Sequence, residues 1–440
     1  MSTVLVLLQL LVVLAMIFIG ARVGSIGMGI YGMVGVFILV FVFGKAPGSV
    51  PVDVMLIIVS VITASAALQA AGGLDYMVGL AAKFLKKHPS RITYYGPLTT
   101  WLFCLVAGTA HTSYSLLPII AEIATNNKIR PERPLSVATV AASLGITGSP
   151  VSAATAAIIS TDLLGGKGIE LSHVLIVCIP ASLVAILVAA FVQNRVGKEL
   201  EDDPEYQRRV KEGIINPQED AKKMQEMEHE APRSAKYSVL AFLLSVVLVV
   251  VFGCFKSLRP AGASMTQIIE IIMMASAALI LLVGKGDVKV AVRGNVFSSG
   301  MNAVISIFGI AWMGSTFFNG NLPFFQAHVF PMIGEYPIIF AVALFIMSIM
   351  LFSQGATVNT LYPIGIAAGI NPFVLLAMFP AVNGYFFIPN YPTEVAAMGF
   401  DRTGTTRVGK YVINHSFQLS GFITTIVAIG LGYLIISFIQ

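Results

Sequence analysis

Ten stretches of this 440-residue chain are apolar over roughly the length a helix needs to cross a bilayer, about 20 residues. They run over 3–19, 26–43, 53–72, 134–160, 172–193, 237–255, 264–283, 295–318, 372–398 and 412–438. No soluble core could bury them all, and the composition agrees. Charged residues make up 11% and hydrophobic ones 56%, where a soluble domain is about 25% charged. Soluble enzymes, disulfide scaffolds, disordered chains and nucleic-acid binders are excluded. The amino terminus is apolar with no basic run before it, so it reads as a first membrane helix rather than a signal peptide. Cys104, Cys178 and Cys254 show no pairing rhythm and no Cys/His spacing suited to metal. No metal and no cofactor is expected.

Two further apolar stretches, 92–125 and 337–370, are each 34 residues long with polar residues near the middle. Half of each gives an arm of about 25 Å, short of a comfortable crossing. Charge decides how to place them. The block 195–236 holds nine basic and eleven acidic residues and reads as a solvated cytoplasmic loop. With the amino terminus outside, fourteen of the other eighteen basic residues fall on one side, and only Lys45, Lys167, Lys256 and Arg259 on the other. That asymmetry marks the cytoplasmic face. It requires 92–125 to enter and leave from that face as a re-entrant hairpin. The flanks of 337–370 carry no basic residue, so that hairpin should enter from outside. The expected fold is an all-α polytopic membrane protein of about ten spans plus two hairpins, with both termini external.

The order of elements recurs. The hairpin 92–125 centres on Gly108-Thr-Ala-His-Thr-Ser-Tyr-Ser-Leu-Leu-Pro118, and 337–370 on Gly355-Ala-Thr-Val-Asn-Thr-Leu-Tyr-Pro363. Each is followed by a span broken at proline: Thr147-Gly-Ser-Pro-Val-Ser152 in 134–160, and Ile388-Pro-Asn-Tyr-Pro-Thr-Glu394 in 372–398. Residues 1–194 and 237–440 thus read as two inverted repeats, an arrangement typical of secondary transporters. Non-helical backbone is tolerated within a membrane where it lines a cavity, and half-helix starts favour anions. No Lys or Arg falls in these mid-membrane stretches. A bound anion would rest on dipoles, hydroxyls and amides. Two similar poles suit a substrate with two similar ends, such as a short dicarboxylate. The candidate contacts are Thr109, His111, Thr112, Ser113, Thr147, Ser149 and Ser152 on one side. On the other are Gln354, Thr357, Asn359, Thr360, Asn390 and Thr393. Glu394, an acid beside an anion site, is the candidate for carrying a proton with the substrate.

Gly27-Met-Gly29-Ile-Tyr-Gly32 fits GxGxxG, but inside an apolar span without a preceding strand it reads as close helix packing. No Walker, HExxH or GxSxG context occurs, and no nucleophile–base pair suggests an enzyme.

Pro51-Val-Asp-Val-Met-Leu56, Leu68-Gln-Ala-Ala-Gly-Gly-Leu-Asp75, Asn126-Asn-Lys-Ile-Arg-Pro-Glu-Arg-Pro134, Gly309-Ile-Ala-Trp-Met313, Phe400-Asp-Arg-Thr-Gly-Thr-Thr406 and Ile413-Asn-His-Ser-Phe417 resemble the Dcu family of anaerobic four-carbon dicarboxylate transporters. The resemblance covers essentially the whole chain. It implies a bacterial inner-membrane carrier of fumarate, succinate, malate or aspartate that works mainly by exchange, in some members by proton-linked uptake. Analogy with the wider ion-transporter superfamily implies a homodimer with a fixed scaffold and a mobile, elevator-like transport domain. Some branches of the family partner a sensor kinase. A cation-coupled carrier of other organic acids on the same scaffold, and a dicarboxylate-sensing partner of a kinase, are the alternative readings. The Asp401-Arg402 motif is expected to order its loop rather than to gate substrate.

Overall fold

The computed structural model describes residues 3–215, 232–389, 391–411 and 414–439. The expectations that fall on 216–231, Asn390 and 412–413 lie outside the described residues. In chain order the first half comprises α1 (Thr3–Val23), α2 (Gly27–Phe37, ending in a π-helical turn, Ile38–Val42), α3 (Val52–Ala70) and α4 (Gly73–Lys87). It continues with α5 (Ile92–Ala107), α6 (Ser113–Asn126), α7 (Glu132–Thr147), α8 (Ala153–Ile158) and α9 (Leu171–Gln193). The connecting segment holds α10 (Pro204–Lys211). Then come α11 (Arg233–Cys254), α12 (Met265–Gly284), α13 (Val288–Arg293), α14 (Asn295–Gly320), α15 (Ile338–Leu351) and α16 (Gln354–Ala367). The chain closes with α17 (Pro372–Ala377), a 3-10 stretch (Phe379–Phe387), α18 (Pro392–Phe400) and α19 (Gln418–Ile439). The molecule is all-helical; the bridge between Val408 and His415 is the extended pairing among the described residues. Among the described residues seven helices, α1, α3, α9, α11, α12, α14 and α19, are long and apolar enough to cross a membrane.

Two regions differ from the expectation. Residues 73–87, between the expected span 53–72 and the hairpin 92–125, form α4. It buries Ala81 and Leu85 while Lys83 and Lys87 stay exposed. Such a stripe is amphipathic, so a search for uniformly apolar runs passes over it. Residues 322–335 are likewise helical and bend by 114° into α15. The charged block is also less solvated than expected. Across 195–215, Leu200, Asp203 and Ile215 are buried, Asp203 because it pairs with the buried Arg130.

The helices pack in two sets joined by one continuous apolar core. In one, α2 lies on α14, α3 on α12 and α14, and α11 on α12. The α2–α14 contact is backbone on backbone. A Cβ at Gly309 would lie 1.9 Å from Gly29 O, and one at Gly32 2.5 Å from the Gly309 carbonyl carbon. The GxGxxG pattern is therefore a packing surface. In the other group, α5 packs on α7, α15 on the 3-10 stretch, and α9 on α19. The halves also interlock there: α16 meets α8, and α18 meets α6. Many buried hydroxyls in these helices donate to their own preceding turn, as Thr100 does to Gly96 O at 2.9 Å and Thr424 to Ser420 O at 2.9 Å. This satisfies them without a partner helix.

Candidate functional site

Four interruptions of helix converge. The first hairpin turns at Gly108, with φ +69, where Thr109 adopts extended backbone and its Oγ1 accepts from His111 N at 3.3 Å. The second turns earlier than its sequence suggested. Phe352 takes the left-handed conformation, φ +48, and Ser353 caps α16 by accepting from Ala356 N at 3.2 Å. Gly355–Pro363 consequently lies within α16 rather than at the tip, which corrects the placement of Thr357, Asn359 and Thr360. The first broken helix is open over 148–152, with Ser152 capping α8 by accepting from Thr155 N at 3.1 Å. The second opens before Pro392, the first residue of α18.

Between these elements lies a cavity of about 600 Å³, within the range of about 300–1,000 Å³ common for small-molecule sites. The first tip contributes Thr109, His111 and Tyr114, and α8 contributes Ala153 and Ala154. The second tip contributes Phe352, Ser353 and Gln354, and the second break Tyr385, Tyr391 and Pro392. Ser299, Asn302 and Ser306 of α14, with Ser25, close the far wall. The starts of α6, α16 and α18 all meet there. No lysine or arginine lines it among the described residues.

Three of the sequence-predicted residues, Thr109, His111 and Gln354, are on this wall. The others divide into separate sets. Thr112 donates to Thr109 O at 3.2 Å, Ser113 to Ala110 O at 2.7 Å and Thr147 to Leu144 O at 2.7 Å. Ser149 accepts from Val151 N at 3.3 Å, and Thr357 donates to Ser353 O at 2.8 Å. These hydroxyls, with that of Ser152, are buried and hold their own loops. Asn359 and Thr360 instead line a separate cavity of about 150 Å³ with Asp53, Asp162 and Asn319. Asn390 lies outside the described residues. Thr393 and Glu394 are 1% and 2% exposed. Thr393 Oγ1 and Glu394 Oε2 have no hydrogen-bond partner among the described residues. Tyr114, Tyr385 and Tyr391 lie within electrostatic range of the Glu394 carboxylate.

The sequence reading missed the α14 contribution. Its signal is the spacing 299, 302, 306, one helical face inside an apolar span. It also missed the tyrosines: Tyr385 and Tyr391 stack at 4.6 Å, and Tyr391 on Phe352 at 6.0 Å.

Away from the cavity, a clasp joins three loops. Arg130, 5% exposed, bonds Glu132 at 2.5 Å and Asp203 at 2.6 Å, and Arg133 reaches Glu199 at 3.0 Å. Ser416 donates to Glu132 Oε1 at 2.6 Å. Asp401 accepts from Thr406 N at 2.6 Å, Thr405 Oγ1 at 2.8 Å and Thr403 N at 2.9 Å, and these hydrogen bonds order its loop. Arg402 donates to Ile214 O at 3.0 Å. Burial pushes the Asp203 carboxyl up, but the backbone N–H of Tyr206 and the Arg130 guanidinium outweigh it and hold it below the usual range.

Helical hairpins and interrupted helices meeting at one cavity among long apolar helices define a multi-pass membrane transporter. The overall fold is similar to that of the Alcanivorax borkumensis YdaH transporter, with a TM-score of 0.51 over 86% of this chain and 84% of that one, at 16% identity. The chain belongs to the family described as anaerobic C4-dicarboxylate membrane transporters, whose model matches residues 5–440. It is 38% identical to the C4-dicarboxylate transporter DcuA of Wolinella succinogenes, over 97% of this chain and 98% of the relative. It is 39% identical to DcuA of Escherichia coli K12, covering 98% and 99%. With the anaerobic C4-dicarboxylate transporter DcuB of Escherichia coli O6:H1 it shares 37%, covering 97% of each. The protein is a transporter, not an enzyme.

Proposed function

We propose that this protein carries four-carbon dicarboxylates across the bacterial inner membrane, mainly by exchanging one for another, with the central cavity as the binding site. The observation that carries the reading is the cavity wall itself. Both hairpin tips and the second break supply hydroxyls, amides and helix starts to one space that no fixed cation lines among the described residues. Such a wall suits an anion that arrives and leaves, since helix starts and neutral donors hold it without a buried countercharge. Exchange of one dianion for another is then electroneutral. Thr109 and His111 hold one end of the substrate, and Tyr385 and Tyr391 the other. The remaining predicted hydroxyls shape the loops.

The packing of the helices in two sets, with the cavity between them, supports movement of one set against the other. The hairpins and broken helices would travel as a unit, in an elevator-like step, between two opposed faces. The two halves act as inverted repeats, with the basic loops cytoplasmic and both termini periplasmic. Glu394 serves proton-coupled uptake. It is buried two residues beyond Pro392 of the cavity wall, with one oxygen unpartnered among the described residues, and an acid crosses a membrane more cheaply when neutral. Purified protein in liposomes preloaded with unlabelled succinate should accumulate labelled succinate by counterflow without a membrane potential. Absence of counterflow, or flux that follows an imposed voltage, contradicts the exchange reading. Thiol labelling of the exposed hairpin flanks, at Ser90→Cys only from the cytoplasmic side and at Tyr336→Cys only from the periplasmic side, tests the opposed hairpins.

A further inference from the structure

The second tip carries a hydrogen-bond acceptor whose polarity is fixed by the fold. Gln354 Nε2 donates to Ser143 O at 2.8 Å and to Asn383 Oδ1 at 2.5 Å. Ser143 O is a main-chain carbonyl and can only accept, so the nitrogen must face it. Asn383 is pinned the same way, its Nδ2 donating to Pro380 O at 3.1 Å. Both Gln354 hydrogens are therefore engaged, and the group it has left is Oε1, an acceptor. The residue is 5% exposed and lines the cavity, and Oε1 has no partner among the described residues. Tyr385, on the same wall and 2% exposed, has an equally unpartnered hydroxyl, which can donate to a carboxylate.

A carboxylate oxygen cannot satisfy Gln354 Oε1, because both are acceptors. A substrate carrying an N–H or O–H donor next to its carboxylate can. We infer that Gln354 is a specificity residue that favours dicarboxylates with an amino or hydroxyl group at the second carbon over the plain four-carbon diacid. Tyr385 receives the neighbouring carboxylate. A buried acceptor left unmet penalises the substrate lacking the donor more strongly than an exposed one would. The inference rests on the proposed dicarboxylate site and assigns its selectivity.

The test is competition against labelled succinate in proteoliposomes, with unlabelled aspartate, malate and succinate as probes, for the wild type, Gln354→Leu, Gln354→Met and Asn383→Ala. The wild type should bind aspartate and malate more tightly than succinate. In the Gln354 variants that preference should fall by roughly tenfold, the worth of one hydrogen bond. Asn383→Ala loosens the brace but keeps Oε1, so it should slow all three substrates with their ratio unchanged. A uniform loss in the Gln354 variants, or an unchanged ratio, makes the residue structural and overturns the inference while transport stands. If neither Gln354 variant reaches the membrane, the wild type decides: equal or weaker affinity for the donor-bearing acids overturns it. No exchange of any dicarboxylate by the wild type is a different failure, that of the transport reading.

Discussion

The two hairpin tips occupy corresponding places in their halves and differ in chemistry. At the first, the hydroxyls of Thr112 and Ser113 donate to main-chain oxygens of their own turn, and glycine makes the left-handed step. At the second, the turn is made by Phe352, and Gln354 reaches across to Ser143 of the other half. In and behind that second wall, Gln354 Oε1, Tyr385 OH, Thr393 Oγ1 and Glu394 Oε2 are all buried without partners among the described residues. The first tip leaves Thr109 and His111 on the cavity wall with its other hydroxyls engaged, whereas the second keeps buried polar atoms without partners among the described residues. A repeated order of elements gives two similar frames, and the partners each side chain finds decide which frame is available to a ligand.

The strongest challenge to this asymmetry is Glu394→Gln. Proton-gradient-driven accumulation should fall by at least roughly tenfold, about 1.4 kcal/mol, while succinate exchange persists. Measured uptake with and without an imposed pH gradient checks it, and unchanged accumulation removes Glu394 from coupling. Next, Tyr385→Phe should weaken apparent succinate affinity by about tenfold or more, the usual worth of a hydrogen bond to a charged group. Ser113→Ala at the first tip should change it by less than about twofold, a difference visible in counterflow titrations. The turns themselves separate on stability. Gly108→Ala forces a side chain into the left-handed region and places its Cβ 2.8 Å from Val151 O. Its thermal midpoint should drop by an amount matching about 2 kcal/mol or more. Phe352→Gly relieves strain but loses the ring stacked on Tyr391, so its net change should stay within about 1 kcal/mol.

The smallest effect on transport should come from the clasp, which touches neither tip. Asp203→Ala should cost about 1–3 kcal/mol of stability, since Glu132 still faces Arg130, with little change in substrate affinity. The Asp203 carboxyl is held below its ordinary value, so the folded state binds fewer protons there than the unfolded one. Its contribution is therefore full above the unfolded carboxylate pKa, about 4, and is lost as pH falls through the lower folded value. Melting curves of wild type and Asp203→Ala should differ at neutral pH and converge on strong acidification.

Much of this frame was legible in the sequence because length and polarity together are diagnostic. A 34-residue apolar stretch with a polar middle has too little helix for two crossings, and α5–α6 and α15–α16 are helical pairs over those residues. Where each hydroxyl points was not legible. Thr109 and Thr112 are three residues apart in one motif, yet one reaches the cavity wall and the other is engaged within its turn. The serines and asparagine of α14 looked like isolated polar residues until the fold gave their face a cavity. Asp203 looked solvated in a charge-balanced loop because its partner, Arg130, stands 73 positions away. Sequence patterns report what a segment buries, but its hydrogen-bond partners depend on segments far along the chain.

Substrate protection tests the central claim most directly. With the exposed Cys254 replaced by serine, Thr109→Cys and Ser353→Cys each place one reactive thiol on the wall of the shared cavity, one from each tip. Succinate should shield both thiols from a small hydrophilic reagent, with the same half-saturating concentration at the two positions and close to that for counterflow. Labelling of both thiols at undiminished rates while succinate is being transported would contradict a binding site between the tips.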